Sequence, residues 1–338
     1  MPRSSLPILL RAGFLLLISA SLVSASSSSV VNNDAAATCA TLPRPCDTLW
    51  LVSTRAFPCS DPRLHAHALT YEVRDEQGQW QRTNLESFLA TDDPSVRTVI
   101  WIHGNRRDSS DARNEGWAVY RALARCTTCD RPMRFVTFSW PSDRIAGRQL
   151  EDVRAKAART SPNGYYLAWL IDKMGGDVPV SLIGYSYGAR ITTGALHLLG
   201  GGVLNGCVLD ERVHPDRRPL RVALVAAAVD NHWLIPGHRL GNALSQVEHL
   251  TNIYNSCDRV VTHYRLLYGR RNNAEALGAT GIVGLNCLDL DRTKILQFDA
   301  CCFAGRNHEW ENYLSSGAVV ARLRAEALPL LTPPAVAQ

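Results

Sequence analysis

The sequence predicts an α/β protein with a mostly parallel central sheet of about eight strands and helices on both of its faces. Short apolar runs alternate with amphipathic stretches from residue 48 onward, a pattern typical of buried strands covered by helices. Serine, histidine and aspartate residues follow several of these runs. They would lie at the carboxyl ends of the strands, where open α/β sheets form their clefts. The chain has 338 residues, 46% of them hydrophobic, which is enough for one large domain with a full core.

The strands are predicted from the apolar runs, in chain order. They are expected at 48–54, 68–74, 96–102, 133–140, 178–183, 220–229, 250–255 and 295–300. The turn signal Asp75-Glu76-Gln77-Gly78 adds a hairpin return at 79–83 after the second strand. The stretch from Asp230 to Leu250 holds only about 20 residues, which is too few for a large lid domain.

The helices are predicted from the amphipathic stretches between these strands. They are expected at 116–124, 149–174 and 189–199, the last ending at Gly200-Gly201-Gly202. The middle helical region is expected to be interrupted at Pro162-Asn163-Gly164, because proline and glycine break helices.

The pentapeptide Gly184-Tyr185-Ser186-Tyr187-Gly188 lies between the predicted strand 178–183 and the predicted helix 189–199. Strand, sharp turn and helix is the order that a nucleophile elbow requires, with the serine at the tip. The flanking glycines leave room for the adjacent strand and helix. The sequence therefore predicts Ser186 as a nucleophile.

A serine hydroxyl is a weak nucleophile at neutral pH, so it needs an imidazole to accept its proton and a carboxylate to orient that imidazole. His308, in a polar loop after the last predicted strand, is the predicted base. Asp258, in the turn after the penultimate strand, is the predicted acid. Asp230, at the end of the strand before that, is the alternative acid.

The oxyanion formed in acyl transfer needs two backbone N–H donors. Tyr187, directly after the nucleophile, is predicted to supply one of them. Asn105 is predicted to supply the other, because it follows His103-Gly104 at the end of the third predicted strand. This chemistry calls for no metal and no organic cofactor.

Ten cysteines form an even set, which favours disulfides in a protein that leaves the cytoplasm. Cys126 and Cys129 form a Cys-x-x-Cys pair, interpreted as a local or structural disulfide, with redox and zinc sites as the alternatives. Because the last two strands are expected to be neighbours, Cys257 is predicted to pair with Cys301 or Cys302.

The first 25 residues have the basic start, apolar core and small-residue end of a secretory signal peptide. Residues 26–38 are predicted to be a disordered leader, 39–325 a single domain and 326–338 a flexible tail. The protein is therefore expected to be periplasmic or extracellular, without a stable membrane span after signal cleavage. Tethering by an uncleaved signal is the alternative.

The formal net charge of +5 is mild, and its arginines are scattered along the chain. Such scatter is typical of a solvated surface rather than of a nucleic-acid binding face. The expected partner is a small-molecule ester or a related acyl compound, and no oligomeric state is indicated.

Residues 48–315 resemble α/β-hydrolases, and within them a bacterial group whose function is not established. The resemblance rests on Thr54-Arg55 after the first strand, on Phe138-Ser139-Trp140-Pro141-Ser142, and on the Gly184–Gly188 elbow. It implies the α/β-hydrolase fold and, by position, Ser186, Asp258 and His308 as a triad. It implies no substrate, because this superfamily includes esterases, lipases, peptidases and non-catalytic members.

The sequence thus predicts an exported serine hydrolase, a carboxylesterase that acts on small or medium esters through an acyl-enzyme. Four aromatic residues are candidates for the acyl pocket, with core packing as the alternative: Tyr185, Tyr187, Trp140 and Trp310. A non-catalytic binding or surface protein that keeps this fold is the alternative function. A thiol–disulfide protein that uses Cys126 and Cys129 is a second alternative.

Overall fold

The computed structural model describes residues 42–329 except 58–60, 126, 146, 148, 211, 266–274 and 288–291. Its strands are β1 Thr48–Ser53, β2 Thr70–Arg74, β3 Trp80–Thr83, β4 Arg97–Ile102, β5 Met133–Ser139, β6 Val180–Tyr185, β7 Leu220–Val225, β8 Val247–Tyr254 and β9 Ile295–Asp299. Its α-helices are α1 Leu85–Leu89, α2 Ser109–Ala124, α3 Gln149–Lys173, α4 Tyr187–Leu199, α5 Arg259–Thr262, α6 Leu277–Thr280, α7 Cys301–Ala304, α8 Trp310–Ser315 and α9 Gly317–Ala327. Short 3₁₀ turns cover Pro62–Leu64, Ala66–Ala68, Ala243–Gln246, Leu285–Cys287 and Arg292–Lys294.

The described strands form one sheet in the order β3-β2-β1-β5-β4-β6-β7-β8-β9. Strand β2 is antiparallel to both of its neighbours. All the neighbouring strands that follow β1 in this order, as far as β9, pair in parallel. This is the α/β-hydrolase fold that the sequence predicts, with the hairpin β2–β3 added to seven parallel strands. The parallel arrangement brings the carboxyl ends of β4, β6, β8 and β9 to one edge of the sheet.

Alternate residues of the central strands point into two separate hydrophobic clusters, one on each face of the sheet. In β4, Ile100 and Ile102 pack into the cluster that contains apolar residues of α3 and α4. Val99 and Trp101 pack into the other cluster, with apolar residues of α2, α8 and α9. Both faces of the sheet are therefore covered, which explains why its strands read as nearly continuous apolar runs.

The predicted break at Pro162-Asn163-Gly164 is wrong, because α3 runs through these residues without interruption. The missing N–H of the proline is tolerated because the helix is fixed by its neighbour α4. A Cβ on Gly164 would lie 3.3 Å from the carbonyl oxygen of Ile191, so this glycine allows the two helices to pack closely. The side-chain amide of Asn163 donates to the Arg159 carbonyl oxygen at 2.8 Å and stays within the helix. Packing here overrides the local preference.

Strand β7 ends at Val225, whereas the apolar run predicts a strand as far as residue 229. The Ala226 N–H still donates to the Ile253 carbonyl oxygen of β8 at 2.9 Å, but the φ of 44° at Ala226 turns the chain out of the sheet. The buried residues that follow, including Val229, are packed as a loop. Asp230 consequently does not stand at a strand end.

Two disulfides are present among the described cysteines, Cys46–Cys129 and Cys257–Cys301. The second confirms one of the two pairings predicted for Cys257, and Cys302 is an exposed thiol. Cys129 is bonded to Cys46, so of the two predicted kinds of bond this cysteine forms a structural disulfide and not the local one within Cys126-x-x-Cys129. Cys126, Cys39 and Cys59 lie outside the described residues.

The predicted signal peptide and leader also lie outside the described residues, as do positions 330–338 of the predicted tail. Residues 326 and 327 of that tail complete α9. Turns and one 3₁₀ segment fill the connection between β7 and β8, where a lid would be inserted. No helix in the described part of the chain is both long and apolar enough to cross a membrane.

Candidate active site

Ser186 lies at a sharp turn between β6 and α4, with φ 54° and ψ −115°. A positive φ is costly for a residue with a side chain, and such strain is kept where the surrounding structure enforces it. The Ser186 N–H donates to the Val225 carbonyl oxygen at 2.9 Å. A Cβ on Gly188 would lie 2.0 Å from the Ile102 carbonyl oxygen, so only glycine allows α4 to approach β4 this closely. The elbow is held by this packing.

The structure brings the three predicted triad residues into one hydrogen-bonded chain. Nε2 of His308 lies 2.8 Å from Oγ of Ser186, and Nδ1 of His308 lies 2.6 Å from Oδ2 of Asp258. Each residue follows the carboxyl end of a different strand: β6, β8 and β9. An imidazole that accepts from a hydroxyl at one nitrogen and donates to a carboxylate at the other is arranged for proton transfer.

Asp258 is fully buried and is the N-cap residue of α5. Its Oδ1 accepts from the Val260 N–H at 2.9 Å, and its Oδ2 accepts from the Tyr313 hydroxyl at 2.9 Å. Burial by itself would raise the pKa of this carboxyl, but the hydrogen bonds and the charge of His308, together with these donors, lower it below its usual range. The carboxylate is thus ionised where it meets the imidazole.

Asp230, the alternative acid, contacts a different histidine. Its Oδ1 accepts from the His232 N–H at 3.1 Å and lies 3.7 Å from Nδ1 of the same residue. Its backbone forms an isolated bridge with Ala276. Because β7 ends five residues before Asp230, the carboxylate of Asp230 does not lie beside Ser186 and His308.

Asn105 and Tyr187, the predicted oxyanion donors, line the same cavity of about 650 Å³ as Ser186 and His308. Tyr187 is the first residue of α4, and the first N–H groups of a helix point outward along its axis. A Cβ on Gly104 would lie 2.8 Å from the Tyr185 ring, so a glycine at this position lets the loop after β4 reach the elbow.

His103 fixes the loop that carries Asn105. Its Nδ1 lies 2.9 Å from the Gly104 carbonyl oxygen, and its Nε2 accepts from the Trp140 N–H at 3.2 Å. Burial lowers the pKa of His103 to about 3, so the ring is neutral and donates through Nδ1. In a trans peptide the N–H points away from the C=O. Holding the Gly104 carbonyl therefore also sets the direction of the Asn105 N–H.

Arg55 joins the loops after β4 and β5. Its Nε donates to Oγ of Ser139 at 2.7 Å, and its Nη2 donates to the carbonyl oxygens of Arg107 and Asp108 at 2.9 and 3.0 Å. The sequence singles out this arginine only within Thr54-Arg55. Its partners lie up to 88 residues away, so no local pattern could assign them.

The four predicted pocket aromatics divide into two kinds. Tyr185 and Tyr187 line the cavity, and the Tyr185 hydroxyl donates to the His308 carbonyl oxygen at 2.8 Å. Trp140 and Trp310 are buried in the two core clusters, where Trp140 stacks on His103. No cluster of three or more histidine, cysteine, aspartate or glutamate side chains suited to a metal ion occurs among the residues that the structure describes.

No family profile matches this sequence, and no curated protein matches it. Two solved structures of esterase B from Lactobacillus rhamnosis, inhibited with C4-C4 and C6-C4 SN3 compounds, are similar to the chain. The first is 12% identical over 85% of each chain, with a TM-score of 0.36. The second is 13% identical over 85% of this chain and 87% of the other, with a TM-score of 0.35. A likeness this loose indicates nothing about substrate or mechanism.

Proposed function

We propose that the protein is a serine hydrolase that cleaves carboxylic esters, with Ser186 as nucleophile, His308 as general base and acid, and Asp258 as the acid of the triad. The hydrogen-bonded chain from Ser186 Oγ through His308 to Asp258 is the observation that carries this proposal. The chain order Ser, Asp, His and the positive φ at the serine support it as well.

In the proposed reaction, Oγ of Ser186 adds to the ester carbonyl carbon while its proton passes to Nε2 of His308. The carbonyl oxygen becomes an oxyanion, which the N–H groups of Asn105 and Tyr187 stabilise. The imidazolium then protonates the alcohol oxygen as the carbon–oxygen bond breaks, and the acyl group stays on the serine. A water molecule repeats the sequence and releases the acid.

The volume of the cavity, about 650 Å³, favours esters of small or medium size. Its wall includes the apolar side chains of Val153, Ala228 and Val261, which can contact an acyl or alkyl chain. The described connection between β7 and β8 adds no lid over it.

A fluorophosphonate probe tests the proposal directly. An activated Ser186 displaces fluoride from phosphorus and forms a stable phosphonyl ester, with its proton taken by His308. We expect labelling of the wild type and of Ser315→Ala, which alters an exposed serine on α8, and no labelling of Ser186→Ala. A folded wild type that takes no label would overturn the proposal and favour a non-catalytic binding protein.

We also propose that the protein acts outside the cytoplasm, after removal of residues 1–25. The two disulfides support an oxidising compartment, since such bonds are rare among cytosolic proteins. N-terminal sequencing of protein recovered from a secreting host should begin at Ser26. A start at Met1 in a cytosolic fraction would refute export.

A further inference from the structure

The cavity around Ser186 has a cationic rim, which the triad chemistry does not explain. Four arginines line it, with Glu309 as the acidic residue among the lining side chains: Arg106, Arg107, Arg259 and Arg306. An ester carbonyl is neutral and needs no guanidinium. The triad chemistry therefore leaves the charge at this rim without a role.

Two of the four arginines form ion pairs with acids. Arg107 pairs with buried Glu115, and its Nη2 lies 3.8 Å from Glu309. Arg106 Nε lies 3.3 Å from Oδ2 of Asp152, a carboxylate whose Oδ1 also lies 2.8 Å from Nζ of Lys156. The guanidinium groups of these two arginines are therefore already engaged by carboxylates of the protein.

Arg259 and Arg306 form no side-chain ion pair with any residue that the structure describes, and both are exposed. They are neighbours, because the Arg259 N–H donates to the Arg306 carbonyl oxygen at 3.2 Å. The disulfide Cys257–Cys301 joins the same two loops. The backbones of the two arginines are thus adjacent on a braced support, and both residues line the cavity.

Both arginines stand next to the triad in sequence. Arg259 directly follows Asp258, and Arg306 precedes His308 by two residues. Guanidinium groups bind carboxylates and phosphates through paired N–H donors, and a substrate in the cavity brings any such group within their reach.

Building on the proposed hydrolase, we propose that Arg259 and Arg306 select esters that carry a second, negatively charged group, a carboxylate or a phosphate, beyond the scissile bond. The anion binds at the rim while the ester carbonyl lies between Ser186 and the oxyanion donors. The preference is electrostatic and weakens as salt rises from about 0.05 M to about 0.5 M.

The test uses three fluorophosphonates of equal chain length that end in a methyl, a carboxylate or a phosphate group. We measure the rate constant for labelling of Ser186 by each probe in the wild type, in Arg259→Gln/Arg306→Gln, and in Arg82→Gln. The last variant removes an exposed positive charge on β3, at the edge of the sheet opposite β9.

We expect the ratio of an anionic probe's rate to the methyl probe's rate to fall about tenfold in the double variant and to stay unchanged in Arg82→Gln. The methyl probe should react at the wild-type rate throughout. A response to the carboxylate or to the phosphate probe identifies the selected anion. Equal ratios in the wild type and the double variant, or an equal loss with all probes, would overturn the selectivity while leaving the hydrolase intact. A wild type that no probe labels would instead overturn the proposed function.

Discussion

At the scale of single residues, Asp258 performs two tasks with one carboxylate. One oxygen caps α5 through the Val260 N–H, and the other accepts from His308 and Tyr313. The capping hydrogen bond holds the carboxylate in the orientation in which it accepts from the imidazole. The cost of burying this charge is offset by donors on both oxygens.

Replacing Asp258 with asparagine should remove activity while leaving the fold intact. An amide at this position can turn its NH₂ toward the imidazole and favour the wrong tautomer, so we expect kcat to fall about 10⁴-fold. Steady-state kinetics on a p-nitrophenyl ester checks this. Asp230→Asn is the matched control and should keep wild-type kcat. A loss in that variant instead would identify Asp230 as the acid.

His103 should make stability depend on pH. Its folded pKa of about 3 lies below the ordinary value of about 6.5, so below that value the unfolded chain binds a proton that the folded protein excludes. Stability is full at neutral pH and is lost as pH falls from about 6.5 toward about 3. At pH 4.5 the loss is about 2–3 kcal/mol.

Urea unfolding of the wild type and of His103→Gln at pH 7.5 and pH 4.5 measures the part of the pH-dependent stability that His103 causes. The glutamine amide can donate to the Gly104 carbonyl and accept from the Trp140 N–H without titrating. We expect the difference in unfolding free energy between the two pH values to shrink by about 2–3 kcal/mol in the variant. An unchanged difference would show that the histidine is not buried in neutral form.

The sequence indicates residues at this scale when a motif and a strand end coincide, as they do at Ser186 and His308. It does not reveal His103 or Arg55 as supports of the oxyanion loop. Their partners, such as Trp140 and Ser139, lie 37 and 84 residues away. Contacts between residues this far apart in the chain can be assigned only once the sheet order is known.

At the scale of elements, loops rather than strands carry the site, and each loop is tied to a neighbour. The loops after β8 and β9 are joined by Cys257–Cys301 and by the Asn255 side-chain amide, which donates to the Gly305 carbonyl oxygen at 2.8 Å. These ties set the separation between Asp258 and His308.

The variant Cys257→Ser/Cys301→Ser should therefore lose activity as well as stability. Without the bond the two loops move more freely, and a displacement of about 1 Å in a catalytic group can cost about 100-fold in rate. Comparing kcat and KM with the thermal midpoint checks this. We expect kcat to fall at least tenfold with KM nearly unchanged. Wild-type kcat would show that the hydrogen bonds alone hold the loops.

Elements are predicted well where one local signal dominates and poorly where packing decides. The hairpin after Arg74 follows its pattern closely, and the strand before Ser186 forms two residues later than predicted, at Val180–Tyr185. The helix α2 begins at Ser109, earlier than predicted, because Asp108 caps it in a box with Asp111. At Pro162 the local signal is misleading, because packing of α3 against α4 outweighs the tendency of proline to break a helix.

At the scale of the whole molecule, the order of strands decides which loops meet. Strand β1 pairs with β5, and β4 lies between β5 and β6. The apolar runs predict that strands exist but not their neighbours, because a buried strand is apolar on both faces wherever it lies in the sheet. The pairing of β8 with β9 was foreseeable from succession along the chain, and it brings Asp258 and His308 together.

The disulfide Cys46–Cys129 should act on global stability without touching catalysis. It joins residues 83 positions apart and lies before β1 and before β5, at the end of the sheet opposite the catalytic loops. Closing a long loop lowers the entropy of the unfolded chain and contributes about 2–4 kcal/mol. In Cys46→Ser/Cys129→Ser we expect urea unfolding to show that loss, with kcat and KM as in the wild type. A loss of kcat as large as that in Cys257→Ser/Cys301→Ser would mean that the two ends of the sheet are coupled, and that bracing of the catalytic loops is not local.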